Sequence, residues 1–147
     1  MRFTAVVEVA ATQERVFPYL DDPELLKKWV PGLESLTFEK PGVPRAVGTR
    51  FRQRMRIASK AVEFEGEVIA YRPPGEIGVR LSESMLTLET TFRLARSDGW
   101  TSVERVTDVT VHSWQARLTA PFAIWYVQRL NKLSLNRLRS VIERASA

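Results

Sequence analysis

Arg105 is the residue whose predicted position most suggests chemistry. Asp98-Gly99 is a strong signal for a two-residue type I′ hairpin turn. A hairpin centred there places Arg105 opposite Phe92, on the same face as Thr90 and Thr107. A guanidinium on a mostly apolar face needs a partner. That partner is either a protein group, such as an internal carboxylate or backbone carbonyls, or an anionic or carbonyl group of a ligand.

The other reactive side chains fall on the opposite face of this hairpin. His112, the single histidine, is expected across from Met85 and lies too far along its strand from Asp108 to form a dyad. Glu89 opposite Asp108 is a like-charge pair that could raise a pKa, but both point outward, with Arg80 expected nearby. We interpret this group as a solvated charge cluster.

Composition excludes several classes of site. The chain has no cysteine and one histidine, which excludes disulfides, thiol nucleophiles and multi-histidine zinc sites. Glycine-rich phosphate loops and the HExxH and GxSxG motifs are absent as well. The sequence therefore predicts no catalytic residue, no metal and no cofactor.

A row of arginines at 50, 52, 54 and 56 could indicate nucleic-acid binding, given the net charge of +5. Pairing the strands across Ser59-Lys60 sets three of these arginines opposite glutamates and gives the other face an apolar character. The predicted pairs are Arg56 with Glu63, Arg54 with Glu65, Arg52 with Glu67, Met55 with Phe64, Gln53 with Gly66 and Phe51 with Val68. Because glutamates cancel the field and no aromatics interleave for stacking, nucleic acid is not expected as a partner. The basic residues of the last helix are either a solvated face or a contact for a protein partner or an anionic membrane.

Hydrophobic periodicity predicts one strand, two short helices, six further strands and a long final helix. Thr12 and Asp22 are expected to cap the short helices, and Thr119 the long one. Leu138, Val141 and Ile142 share one arc of that last helix with Val127 and Leu130, and Asn131 and Ser134 lie in the same arc. At 147 residues the chain is predicted to form one domain, residues 1–147. With no signal peptide and no run of roughly 18 apolar residues, a cytoplasmic location is expected.

The segment AATQERVFPYLDDPELLKKWVPGLESL resembles the opening helices of the SRPBCC superfamily, which includes START domains, birch-pollen-allergen-like proteins and polyketide cyclase/dehydrase-like proteins. GTRFRQRMRI and the final helix fit as well, and LLKKWVPGLESL is similar to the G subunit of carbon monoxide dehydrogenase. The resemblance implies an α+β helix-grip fold, in which a curved antiparallel sheet of about seven strands wraps around the last helix and encloses an apolar cavity. Trp29 would then lie near the cavity mouth, as core packing, as a ligand contact, or as both.

The resemblance and the two hairpin registers together predict a set of ligand-binding residues. Gly66 is expected to leave unfilled space on the inner face. The candidate apolar walls are Trp29, Phe51, Met55, Phe64, Leu88 and Phe92, and the candidate polar groups are Gln53, Thr90, Arg105, Thr107, Asn131 and Ser134.

Three functions remain open at this point. The first is binding or transport of a small hydrophobic or amphipathic molecule, such as a lipid, polyketide or aromatic metabolite. The second is a cyclase-, aromatase- or dehydratase-like enzyme, against which the lack of a cavity-facing carboxylate or histidine argues. The third is an accessory protein that binds a partner or membrane through apolar turns near Phe122, Trp125 and Tyr126.

Overall fold

A seven-stranded antiparallel sheet and one long helix dominate the structure. The computed structural model describes residues 1–145, with side chains at all of these positions except 116, 119–120, 122–124 and 126–127. The elements, in chain order, are β1 (Arg2–Val9), α1 (Gln13–Asp21), α2 (Pro23–Leu26), β2 (Leu33–Phe38), β3 (Arg50–Ile57), β4 (Lys60–Arg72), β5 (Glu76–Ser82), β6 (Leu86–Ser97), β7 (Trp100–Val111) and α3 (Trp114–Ala145). The strand order is β1-β7-β6-β5-β4-β3-β2. This arrangement confirms the predicted helix-grip fold.

Capping residues begin the two short helices as the sequence predicts. The Thr12 side chain accepts from the Arg15 N–H at the start of α1, and Asp22 accepts from the Glu24 N–H at the start of α2. Proline at the first position of α2 costs no hydrogen bond, because that N–H would be free in any helix. The second helix ends at Leu26, so Trp29 lies in the turns that follow it.

The β6–β7 hairpin has the predicted register. Asp98 and Gly99 both adopt positive φ, 38° and 83°, as a type I′ turn requires. Arg105 lies opposite Phe92, Thr90 opposite Thr107, and Glu89 opposite Asp108. The sequence therefore places the polar residues of the inner face correctly.

The β3–β4 hairpin differs from its prediction by two residues. Its turn is formed by Ala58 and Ser59, with φ values of 50° and 70°, and not by Ser59-Lys60. Consequently, Phe51 lies opposite Gly66 and Gln53 opposite Phe64. Because side chains alternate with a period of two, this shift keeps every residue on its predicted face.

The predicted arginine–glutamate pairs are therefore wrong in detail. Arg50 pairs with Glu67 at 3.6 Å, whereas Arg54 and Arg56 contact Glu34 on β2 at 3.7 and 3.0 Å. The arginine row remains interleaved with acids, but its partners come from two neighbouring strands.

The final helix begins at Trp114, five residues before the predicted cap at Thr119, and carries Pro121 within it. Its C-terminal half supplies Leu135, Leu138 and Ile142, each at most 2% exposed, to a core shared with α1, β1, β6 and β7. Leu138 and Ile142 confirm the predicted apolar arc, which omitted Leu135. Other predictions for this helix involve Phe122, Tyr126 and Val127, whose side chains lie outside the described residues. Within the described part of the chain, no helix is long and apolar enough to cross a membrane.

Candidate functional site

A cavity of about 350 Å³ lies between the sheet and α3, within the size range of small-molecule sites. Most of its wall is apolar, and polar side chains enter it from β3, β6, β7 and α3. The structure brings nine of the twelve predicted residues to this cavity: Gln53, Met55, Phe64, Leu88, Thr90, Arg105, Thr107, Asn131 and Ser134.

The remaining three predicted residues, Trp29, Phe51 and Phe92, line a smaller inner chamber of about 90 Å³. Five residues border both spaces: Val30, Gln53, Leu81, Thr90 and Arg105. These shared residues form the boundary between the cavity and the inner chamber.

Trp29 is a buried residue of the inner chamber wall. It is 1% exposed, and its Nε1–H donates to the Tyr19 carbonyl at 2.7 Å. Its ring meets Phe92 edge-on, with centroids 6.0 Å apart. The two interpretations of Trp29 thus overlap, because the same side chain is both core packing and chamber wall.

Arg105 lies at the boundary with few polar partners. Its Nη1 donates to Ser134 Oγ at 2.9 Å, and its guanidinium lies 5.3 Å from the centre of the Phe92 ring. Nε is buried and finds no hydrogen-bond acceptor among the described residues. Burial lowers the pKa of Arg105 to about 10, so the group is still charged at neutral pH. The sequence left open whether the partner of Arg105 is a protein group or a ligand group. Among the described residues, no carboxylate lies within 4 Å of the guanidinium, and the protein acceptor is the Ser134 hydroxyl.

The helix side of the cavity carries a second unpaired polar atom. Ser134 Oγ donates to the Asn131 carbonyl at 3.1 Å, which leaves its lone pairs free to accept from Arg105. Asn131 Oδ1 is buried, and no donor for it exists in the described part of the chain. Unpaired buried polar groups are costly, and a ligand carrying donors and acceptors would satisfy them.

Two hydroxyl groups complete the polar floor. Thr90 and Thr107 are both buried, and their Oγ1 atoms lie 3.3 Å apart. They bond to each other across the β6–β7 ladder, and they are the next pair after Arg105 and Phe92 on the same face.

Gly66 does not leave the predicted space. A Cβ atom at this position would lie 2.2 Å from the Phe51 ring, because the ring crosses the glycine from the neighbouring strand. The void assigned to Gly66 is thus filled by Phe51. The open volume lies further along the sheet, beyond Gln53 and Phe64.

The mouth includes residues that sequence reasoning missed as wall residues: Val30, Pro31 and Gly32. Gly32 has a φ of 77°, and a side chain there would meet the Arg56 carbonyl at 2.4 Å. The Gly32 carbonyl accepts from the Arg56 N–H at 2.7 Å. A Pro-Gly pair is typical of a helix stop, and here the residues of that stop also line the edge of the cavity.

The predicted outer charge cluster lies on the face opposite the cavity. Asp108 pairs with Arg2 at 2.9 Å, Glu89 with Arg80 at 3.8 Å, and His112 Nε2 lies 2.7 Å from Thr87 Oγ1. The Arg2 hydrogen bond lowers the pKa of the Asp108 carboxyl. No group of three or more potential metal-ligating side chains occurs among the described residues.

Comparison with known proteins identifies relatives along nearly the whole chain. Residues 1–143 match the family model described as polyketide cyclase/dehydrase and lipid transport. No curated protein matches the sequence significantly.

Solved structures share the fold at low sequence identity. TTHA0849 from Thermus thermophilus is 19% identical, with full coverage of both chains and a TM-score of 0.81. The aromatase/cyclase Zhui from Streptomyces is 17% identical over 100% of this chain and 96% of its own, with a TM-score of 0.78. A START superfamily protein from Mycobacterium smegmatis is 17% identical over 98% of each chain, with a TM-score of 0.73.

Proposed function

Since this chain belongs to the polyketide cyclase/dehydrase and lipid transport family, we propose that it binds a small amphipathic molecule in the cavity between the sheet and α3. The ligand's apolar body would occupy the space beside Met55, Phe64 and Leu88. A carbonyl or anionic group of the ligand would accept from Arg105. Removing apolar surface from water supplies the affinity, and the few polar groups fix the orientation.

One observation carries this proposal: Arg105 is a partly buried cation whose Nε is fully buried and has no acceptor among the described residues. Burial lowers the pKa of Arg105 to about 10, a shift that disfavours the charged form by roughly 3 kcal/mol. A ligand oxygen placed at Nε would recover part of this cost. The same contact would discriminate strongly against ligands that lack the oxygen, because they would bury the cation further without a partner.

The polar groups of the cavity are suited to holding a ligand. They are a guanidinium, hydroxyls and amides, and the described lining contributes no carboxylate or imidazole that could act as a general base. We therefore propose binding or carriage first, and cyclase-like turnover as the alternative that the experiment below would reveal.

Calorimetric titration with dodecanoate and dodecanol tests the proposal. Both ligands should bind with about 1:1 stoichiometry, and dodecanoate should bind more tightly because its carboxylate forms a charge-assisted hydrogen bond with Arg105, whereas the dodecanol hydroxyl is only a neutral acceptor. Leu88→Trp should weaken both at least tenfold by filling the cavity. The matched control is Leu133→Trp, at an exposed position of α3, which should bind like the wild type.

Two results would count against this function. Undiminished binding by a folded Leu88→Trp variant would place the ligand elsewhere. Native mass spectrometry of protein purified from cells should show a retained small molecule, and conversion of that molecule during incubation would favour an enzyme.

A further inference from the structure

A second concave space lies on the other side of α3, between that helix and β1. Its volume is about 590 Å³, and we call it the basic cleft. Arg2, Phe3 and Ala5 contribute from β1, and Arg129, Asn131 and Lys132 contribute from α3.

The floor of the basic cleft continues directly into the floor of the cavity. Ala5 pairs with Arg105 and Phe3 pairs with Thr107 across the β1–β7 ladder. Adjacent strands lie about 4.8 Å apart, so the two floors are one strand apart beneath the helix. The two spaces are therefore neighbours beneath α3, and a molecule that spans both would pass beside the residue they share, Asn131.

Asn131 lines both spaces. It is 6% exposed, and its Oδ1 has no donor in the described residues. An unpaired, buried amide oxygen between the two spaces destabilises the ligand-free protein. This oxygen is available to a hydroxyl or other donor of a molecule that passes under α3.

The charges of the basic cleft are only partly compensated. Arg2 is paired with Asp108 at 2.9 Å. Arg129 lies 5.4 Å from the Trp125 ring centre, a cation–π contact that leaves its charge in place. Neither Arg129 nor Lys132 has a carboxylate within ion-pair distance in the part of the chain that the structure describes. The cleft therefore carries two uncompensated positive charges next to an unpaired amide.

We propose that the basic cleft binds a phosphate-type anion that is the head group of the cavity ligand. This inference rests on the proposed function and narrows the ligand to an amphipathic phosphate ester. Its apolar chain would lie beside Phe64 and Leu88, its middle would pass Asn131 and Arg105, and its phosphate would contact Arg129 and Lys132. Two cations match the charge of a phosphate monoester better than that of a carboxylate.

The test compares dodecyl phosphate, dodecanol and inorganic phosphate by calorimetry at constant ionic strength. The variant Arg129→Gln/Lys132→Gln removes both charges of the cleft. The matched control, Arg137→Gln/Arg144→Gln, removes two exposed charges of the same helix outside the lining of the cleft. We expect dodecyl phosphate affinity to fall at least tenfold in the Arg129→Gln/Lys132→Gln variant and less than twofold in the control variant. The affinity for dodecanol should be unchanged in both variants.

Each other outcome overturns the inference. Equal losses of dodecyl phosphate affinity in the two double variants would show general charge attraction. No loss of this affinity in either variant would show that the head group lies elsewhere. Inorganic phosphate that binds as tightly as dodecyl phosphate would show an anion site independent of the cavity. If dodecanol fails to bind the wild type, the proposed cavity function fails and this inference fails with it, whereas the outcomes above overturn the inference and leave the cavity function in place.

Discussion

The two central hairpins of the sheet, β3–β4 and β6–β7, form opposite halves of the cavity floor and differ in how their sequences specify them. In β6–β7 the turn is Asp98-Gly99, the residues that a type I′ turn favours. In β3–β4 the same turn type is built from Ala58 and Ser59, neither of which favours positive φ. Turn chemistry thus specifies the register of β3–β4 only weakly and that of β6–β7 strongly.

The difference also separates the roles of the two hairpins. The well-specified β6–β7 hairpin carries Thr90, Arg105 and Thr107, whose positions would determine where a polar ligand group is held under the proposed function. The β3–β4 hairpin contributes Phe51, Met55 and Phe64, which would exclude water from the ligand. Orientation of a ligand needs an accurate register, whereas an apolar wall needs only the correct face.

The largest expected effect concerns packing in the β3–β4 hairpin. Phe51→Ala should destabilise the protein by about 3–5 kcal/mol. Gly66→Ala should cost about 1–3 kcal/mol, because its Cβ would overlap the Phe51 ring. Chemical denaturation of both single variants and the double variant should show a combined loss smaller than the sum. Strict additivity would contradict the contact and favour the register centred on Ser59-Lys60.

A change in ligand preference is expected from Arg105→Met in the β6–β7 hairpin. The ligand-free variant should be as stable as the wild type or more stable by up to about 3 kcal/mol, because a buried charge is removed. Its affinity for dodecanoate should fall at least tenfold, while its affinity for dodecanol holds.

The control for that change is Arg93→Met, an outward arginine of the same hairpin that pairs with Glu76 at 2.9 Å. It should lose about 0.2–1 kcal/mol of stability and no ligand affinity. A loss of about 3–5 kcal/mol in Arg105→Met would instead reveal a charged protein partner for the guanidinium, beyond the Ser134 hydroxyl. Thermal melting and calorimetry on the two variants measure both quantities.

A smaller effect is expected at the two turns. Replacing Ala58-Ser59 by Asn-Gly should stabilise the protein by about 1 kcal/mol, since it removes strain at two positive φ positions. Replacing Asp98 by Asn should change stability by less than about 0.5 kcal/mol, because that turn already has favourable residues. Denaturation midpoints, compared at constant m-value, would measure both stability changes. A destabilised Asn-Gly variant would contradict the position of the turn at Ala58 and Ser59.

The smallest expected effect distinguishes the observed ion pairs from the predicted ones. Glu34→Gln removes the partner of Arg54 and Arg56 and should cost about 0.2–1 kcal/mol, an effect that high salt reduces. Glu63→Gln should cost less, because this carboxylate has no arginine within ion-pair distance among the described residues. The reverse order of costs would restore the predicted pairing.

The contrast between the two hairpins also explains how much of the fold and of the candidate site could be predicted from the sequence. Periodicity and capping residues predicted the order of elements, and Asp98-Gly99 fixed Arg105 opposite Phe92. A two-residue shift of the β3–β4 register leaves every side chain on the same face of the sheet, so the alternation of apolar and polar residues could not detect it. The position of the open space was also beyond sequence reasoning, since it depends on where the Phe51 ring lies relative to Gly66.

Trp29 gives the inner chamber a spectroscopic property. It is 1% exposed, whereas the other three tryptophans, Trp100, Trp114 and Trp125, are at least 41% exposed. Its indole should emit at shorter wavelength than theirs and resist quenching by aqueous iodide. After the exposed emission is quenched, the remaining fluorescence comes mainly from an indole in the chamber wall. A ligand that reaches the inner chamber can then be followed in the unlabelled protein, as a change in the light from this one side chain.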